Sequence, residues 1–173
     1  MQEKWKRIPA SRLGNAMEMI GKDWMLIVAR DEQKDGVNAM TASWGCMGVL
    51  WNKNIAVCFI RPQRYTYGLV EASDRISLAF PSEAYRQAMT VCGRKSGRDC
   101  DKLTEAGLTT EELDGVPVIA EAEYNLICRK LYVDDLKEEC FLDRELLSHY
   151  QKDYHRIYVC EIESAYQRIA PSH

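Results

Sequence analysis

Residues 38–44 read N-A-M-T-A-S-W, and their alternation settles what kind of chain this is. Val37, Ala39, Thr41 and Ser43 fall on one side of an extended chain, and Asn38, Met40, Ala42 and Trp44 fall on the other. Just upstream, W-M-L-I-V-A-R-D (24–31) is a continuous apolar run rich in β-branched residues, and Gly36 separates the two. The pair reads as two adjacent strands. Downstream, N-I-A-V-C-F-I-R (54–61) has the composition of a strand buried on both faces, and Pro62, which cannot donate to a ladder, ends it. R-I-S-L-A-F (75–80), V-P-V-I-A-E-A-E-Y-N-L-I-C-R-K-L-Y-V (116–133) and H-R-I-Y-V-C-E-I-E-S-A-Y (155–166) extend the series to six.

Short helices fill the connections. Thr66 is a good N-cap residue ahead of Y-G-L-V-E-A-S, Ser82 plays the same part before E-A-Y-R-Q-A-M-T-V, and D-K-L-T-E-A-G (101–107) closes on Gly107. D-R-E-L-L-S-H-Y (143–150) reads as one more short helix, and 92–99 as a charged, glycine-containing loop. Six strands with inserted helices do not follow the regular strand–helix alternation of a doubly wound sheet. The expected architecture is mainly β with α insertions, a closed antiparallel barrel in one domain over residues 1–173. No repeat or Pro/Gly/Ser-rich linker divides it.

Composition narrows the function. The 23 Lys plus Arg against 26 Asp plus Glu leave a net charge of −3, so no global positive field holds a nucleic acid. No run of about 18 apolar residues suggests a membrane span, and M-Q-E-K-W-K-R-I-P-A lacks the apolar core of a leader. The seven cysteines are odd in number and widely spread, with no C-x-x-C pair, and the three histidines lie near the C-terminus. This usage points to a reducing, cytoplasmic setting with cysteines as small core residues, and to no structural metal. Neither G-x-G-x-x-G after a strand nor G-x-x-x-x-G-K-[ST] is present, so a nucleotide would bind by other means.

Three segments carry candidate chemistry. In 38–44 the small Ala42 and the hydroxyls of Thr41 and Ser43 let a flat ligand approach the backbone beside Trp44. In R-P-Q-R-Y-T (61–66) the guanidiniums of Arg61 and Arg64, the Thr66 hydroxyl and a helix start form a receptor for a phosphate. In C-G-R-K-S-G-R-D-C-D-K (92–102) four basic residues oppose two acids, a local charge of +2, and two glycines allow backbone N–H groups to converge. Taken singly, each segment reads equally well as an ordinary barrel strand, a solvated turn or a charged loop.

In this order and spacing, the three segments resemble the flavin reductase-like family of FMN-binding split barrels, in particular its flavoredoxin-like branch, over residues 10 to 165. The resemblance implies a six-stranded antiparallel Greek-key split barrel that forms a homodimer, with FMN at or near the interface. Asn38, Thr41, Ala42, Ser43 and Trp44 carry over as contacts to the ring and ribityl chain. Arg61, Arg64 and Thr66 carry over to the phosphate, and Cys92, Gly93, Ser96, Gly97 and Lys102 to a loop closing over the ring. Gly45 and Cys46 depart from the family pattern, which often has an aromatic after the tryptophan.

The implied activity is that of an FMN-dependent oxidoreductase of the flavin reductase type. NADH or NADPH gives a hydride to FMN, which passes electrons to free flavin, a small acceptor or a redox protein partner. The alternative is a non-enzymatic FMN electron-transfer protein, and a weaker one is a haem barrel, for which His149 and His155 are the imidazoles at hand. No side chain is assigned a catalytic role. His155, at a strand start, is expected to make a structural hydrogen bond rather than to act as an acid. Cys46 and Cys92 lie beside the flavin segments, but are expected to be inert thiols rather than redox participants.

Overall fold

The computed structural model describes residues 4–169; the remainder of the 1–173 span, including His173, lies outside the described residues. Ten strands appear among the described residues: β1 (Trp5–Ile8), β2 (Met25–Asp31), β3 (Gly36–Ala42), β4 (Gly45–Leu50), β5 (Lys53–Ile60), β6 (Arg75–Pro81), β7 (Thr110–Leu113), β8 (Val116–Ile119), β9 (Ala122–Asp135) and β10 (Arg156–Arg168). Three α-helices are α1 (Tyr65–Ala72), α2 (Arg86–Arg94) and α3 (Lys102–Ala106). The main sheet is antiparallel in the order β3-β2-β6-β9-β10-β5-β4, with β1 added to β10, and β7 and β8 form a separate hairpin.

The six strands expected from sequence form the barrel, and their alternation fixes its inside. Met25, Ile27 and Ala29 of β2, Ala56, Cys58 and Ile60 of β5, Ile76, Leu78 and Phe80 of β6, Leu126 and Cys128 of β9, and Tyr158, Cys160 and Ile162 of β10 meet in one buried cluster. A register slip of one residue in any of these strands would expel its whole set. On the outside of β2, β3 and β6, Leu26, Val28, Ala39 and Ala79 are covered by Ala88, Met89 and Cys92 of α2 and by Leu103 and Ile119. The third segment is thereby packed against the β3 strand that carries the first.

The sheet does not close by hydrogen bonds. Ser43 and Trp44 lead β3 directly into β4, which pairs with β5 alone, so among the described residues a turn of chain bridges β3 and β5 where a closed barrel would have a ladder. Gly45 permits the crossing: a Cβ there would stand 2.7 Å from the Val57 carbonyl oxygen. The barrel is split on this side.

Several boundaries differ from expectation for local reasons. Arg64, not Thr66, is the N-cap of α1, because the R-P-Q-R turn is closed by Arg64 N–H on the Arg61 carbonyl. A 3-10 turn (Glu83–Tyr85) follows Ser82, which makes no capping bond, and α2 starts only at Arg86; it runs on to Arg94, so Cys92 and Gly93 are helical rather than looped. Asp101 caps α3 through the Thr104 N–H, and Gly107 ends it in the left-handed region at φ 68°. The long 116–133 strand breaks at Ala120–Glu121 into β8 and β9, and 144–149 is a 3-10 helix. No helix among the described residues is long and apolar enough to cross a membrane.

Candidate functional site

At the split, the end of β3, the end of β5 and the start of β10 enclose a cavity of about 210 Å³. Thr41, Ala42, Ser43 and Trp44 form one wall, and Arg61, Arg64, Phe59 and His155 the other. The sequence places them together for a simple reason. β3 must stop at Ala42 to turn into β4, and Pro62 stops β5, so both strands shed their last polar residues at the same end. Trp44 is about half exposed (46%) and also lines an adjoining, mainly apolar cavity of about 410 Å³ with Ser43, Gly45, Cys46, Met47, Met17 and Ile20.

The two arginines are held differently. Arg61 pairs with Asp153, donates to the His149 carbonyl at 2.8 Å, and lies 5.1 Å over the Tyr150 ring. Arg64 donates from Nη1 to the Gly93 carbonyl at 3.0 Å, while its Nη2 is buried with no partner among the described residues. Burial lowers its pKa from the ordinary value. A buried guanidinium nitrogen without an acceptor costs free energy in the isolated chain, and an anion would remove that cost.

Lys102 is the second under-compensated cation. It is nearly fully buried and, among the described residues, donates only to the carbonyls of Cys92 (3.1 Å) and Lys95 (3.3 Å), with no carboxylate at ion-pair distance. Burial lowers its pKa to about 8, the Cys92 thiol opposing this and the nearby Arg64 charge adding to it. Cys92 is fully buried in α2 and its thiol is pushed up, whereas Cys46 is exposed on β4.

The remaining candidates sit behind or beside this wall. Asn38 donates to the Thr66 hydroxyl at 2.7 Å, both side chains being buried, so Thr66 braces β3 against α1. Gly97 is wedged against that pair: a Cβ would fall 2.3 Å from Asn38 Oδ1 and 2.8 Å from the Tyr65 ring. Gly93 lies over Thr41, and the Ser96 hydroxyl accepts from the Arg98 N–H. Asn38, Gly97 and Lys102 line a further cavity of about 390 Å³ with Asp31 and Lys34, and none of the three lines the cavity at the split.

A family model described as flavin reductase-like domain matches residues 17–171. The chain belongs to the flavin reductase-like family. No curated protein matches it. Among solved structures, this flavin reductase-like chain is similar to the FMN-binding domain of a flavin reductases-like enzyme from Shewanella baltica, with 17% identity and a TM-score of 0.69 over 97% of this chain and 79% of that one. A flavoredoxin from Methanosarcina acetivorans matches at 21% identity and TM-score 0.65, over 84% and 68% of the two chains. The styrene monooxygenase flavin reductase from Pseudomonas putida matches at 10% identity and TM-score 0.64, over 86% and 81%. At these identities the likeness is one of fold, and it includes the split-barrel architecture.

The structure also places residues at the cavity that sequence reasoning left aside. Phe59 and Met40 line it, and His155 does so while bonding Tyr150 Oη through Nδ1 at 3.0 Å. The expected structural bond of His155 is therefore present, and the ring faces the site as well. Asp153 had no sequence signal, because its partner Arg61 is 92 residues away.

Proposed function

We propose that this flavin reductase-like protein binds FMN at the split and acts as an NAD(P)H-dependent oxidoreductase of the flavin reductase type. The observation that supports it most directly is the unpartnered, buried Nη2 of Arg64, at the wall of a cavity that opens onto an apolar one through Ser43 and Trp44. A cation lacking an acceptor beside an apolar recess suits a ligand with an anionic end and a flat ring. The donors present therefore fit FMN.

Arg64 would hold the phosphate, with Lys102, which lies close enough to Arg64 to feel its charge, adding its field; Thr41 and Ser43 would bond the polar chain, and Trp44 with Met47 and Ile20 would lie by the ring. Arg61, already committed to Asp153, and Thr66, committed to Asn38, would support this wall from behind. Cys92, Gly93, Ser96 and Gly97 would position the loop. FMN, when bound, supplies hydride acceptance and one- or two-electron donation. The chain's own part is to neutralise the phosphate, exclude water with Phe59 and Trp44, and present hydroxyls to the polar edge.

The polar cavity alone is below the roughly 300 Å³ at which small-molecule sites usually begin. β4, at the end of the main sheet path, leads away from the cavity and exposes Val49 (73%) and Leu50 (41%) toward its far end, and the following Trp51 is 55% exposed. A second copy of the chain covering this apolar edge would bury it, and the homodimer is proposed on that ground. All seven cysteines are free, which suits a reducing, cytoplasmic setting, with residues 1–173 acting as one domain. The same exposed edge would serve a redox protein, so electron transfer without a nicotinamide is the second reading.

One experiment separates the two. The FMN-loaded protein, mixed anaerobically with NADH or NADPH, is expected to bleach near about 450 nm with at least one of them. Bleaching by a reduced redox protein and by neither nicotinamide would move the function to electron transfer. Failure to retain any flavin would overturn both.

A further inference from the structure

The segment 136–155, between β9 and β10, does more than connect strands. Its ends are tied where the Leu136 N–H donates to the His155 carbonyl at 2.9 Å, and it brings His155 to the cavity, with His149 against Trp44 and Tyr150 and Asp153 against Arg61 beside it. His149 meets Trp44 edge-on with centroids 5.7 Å apart, and His155 lies 5.3 Å from the same indole and 6.3 Å from Phe59. A segment of loop and short 3-10 turns, with Leu142 almost fully exposed, cannot hold such an arrangement by burial alone.

Phe141, Tyr150 and Tyr154 pack against one another within the segment, with centroids 5.1–5.7 Å apart, and what ties it to the β5 end is one carboxylate. Asp153 receives Arg61 Nη1 and Gln63 Nε2 on one oxygen, the latter at 2.7 Å, and the Gln151 N–H on the other, also at 2.7 Å. The Gln151, Arg61 and Gln63 donors together keep its carboxyl far below the ordinary range. Arg61 in turn grips the segment at the His149 carbonyl and over the Tyr150 ring. Tyr150 passes the restraint to His155, whose Nδ1 it bonds, and His155 Nε2 has no partner among the described residues.

We propose that Asp153 is a positioning residue: by pairing with Arg61 it latches the 136–155 segment across the cavity mouth and holds the His155 ring against Trp44, with Nε2 left free for the cavity's occupant. This rests on the flavin reading only for the identity of that occupant. In the latched state burial, then the Arg61 charge, lowers the His155 pKa to about 4, with Asp153 opposing. Arg61 from the β5 end, and Tyr150 and Asp153 from the segment, are the ionisable groups around the ring, with His149 beyond Trp44. The imidazole is thus neutral at pH 7 and offers one donor or acceptor at Nε2.

The test is the His155 titration, followed by NMR on flavin-free protein. If Asp153 contributed charge alone, Asp153→Ala would lower the His155 pKa, since its carboxylate raises it. If Asp153 is the latch, its loss lets the segment lift and hydrates the ring, so the titration rises by about one unit or more toward the ordinary value. Arg61→Met opens the latch from the other side and is expected to raise it too, and Asp153→Glu to restore the low value in part. A pKa that stays or falls in Asp153→Ala overturns the proposal, whatever Arg61→Met does. Because no flavin is present, a failure of FMN to bind would leave this outcome standing and would count only against the functional reading.

Discussion

Replacing Arg64 by Met separates what the guanidinium does for the fold from what it does for a ligand. In the ligand-free chain Nη1 has one bond, to the Gly93 carbonyl, and Nη2 is buried with none. A hydrogen bond from a charged group contributes about 1.5–3 kcal/mol, and an unsatisfied buried polar group costs about 1–3 kcal/mol. The two nearly offset, and Met fills much of the same volume, so stability without ligand should change by about 1 kcal/mol or less. With FMN bound, Nη2 gains a phosphate oxygen, a charge-assisted bond of about 1.5–3 kcal/mol. Its loss should weaken FMN binding by about 10- to 150-fold. Quenching of FMN fluorescence gives the dissociation constants, and urea unfolding with and without FMN gives the stabilities. A folded Arg64→Met variant that binds FMN as tightly as the parent would refute the assignment of Arg64 to the phosphate.

Lys102 carries a linked prediction about protons. Its folded pKa of about 8 lies below the ordinary 10.5, so between these values the unfolded chain holds a proton that the folded chain has lost. Ligand-free stability should therefore rise with pH across that window, and Lys102→Met should flatten the slope. A phosphate beside Lys102 restores its proton, so FMN binding near pH 8.5 should take up a proton, measured as buffer-dependent binding enthalpy; no uptake would remove Lys102 from the site. At the crossing from β3 to β5, Gly45→Ala drives a Cβ against the Val57 carbonyl and should destabilise by about 1–3 kcal/mol in urea unfolding. Gly48→Ala on the same strand, with nothing within 4 Å, should be nearly neutral.

The barrel was legible because each of its strands repeats an apolar residue every second position, and burial inside a barrel enforces that period. β4 escaped: G-C-M-G-V-L is weak in alternation, and its side chains are largely exposed, so its pairing with β5 follows from the Trp51–Asn52 turn, with φ of 52° and 57°, rather than from core burial. β1 escaped because its partner, β10, lies at the other end of the chain, Trp5 opposite Arg168. At the site, the basic residues of 61–64 and 94–102 were readable as a charge excess, but their pairing was not. Nothing local distinguishes Arg61 from Arg64, and the distinction arises from Asp153 and from the depth at which each strand end is buried.

That distinction changes what the charge distribution means. The chain is acidic in sum, and many of its surface cations have a carboxylate within reach, as in the Lys53–Glu161–Arg129–Glu163–Arg75 chain across β5, β10, β9 and β6. Such exposed pairs contribute little to stability. Arg64 and Lys102 are the contrary case: Lys102 is buried and Arg64 half-buried with Nη2 fully so, they repel each other, and among the described residues each is met by backbone carbonyls alone. Two such cations without a counter-ion reduce the stability of the ligand-free fold, and Arg64 stands at the wall of the cavity where the ladder between β3 and β5 is missing. A fold under selection for stability alone would remove either the charges or the gap; keeping both at one place is explained by an anion that belongs there.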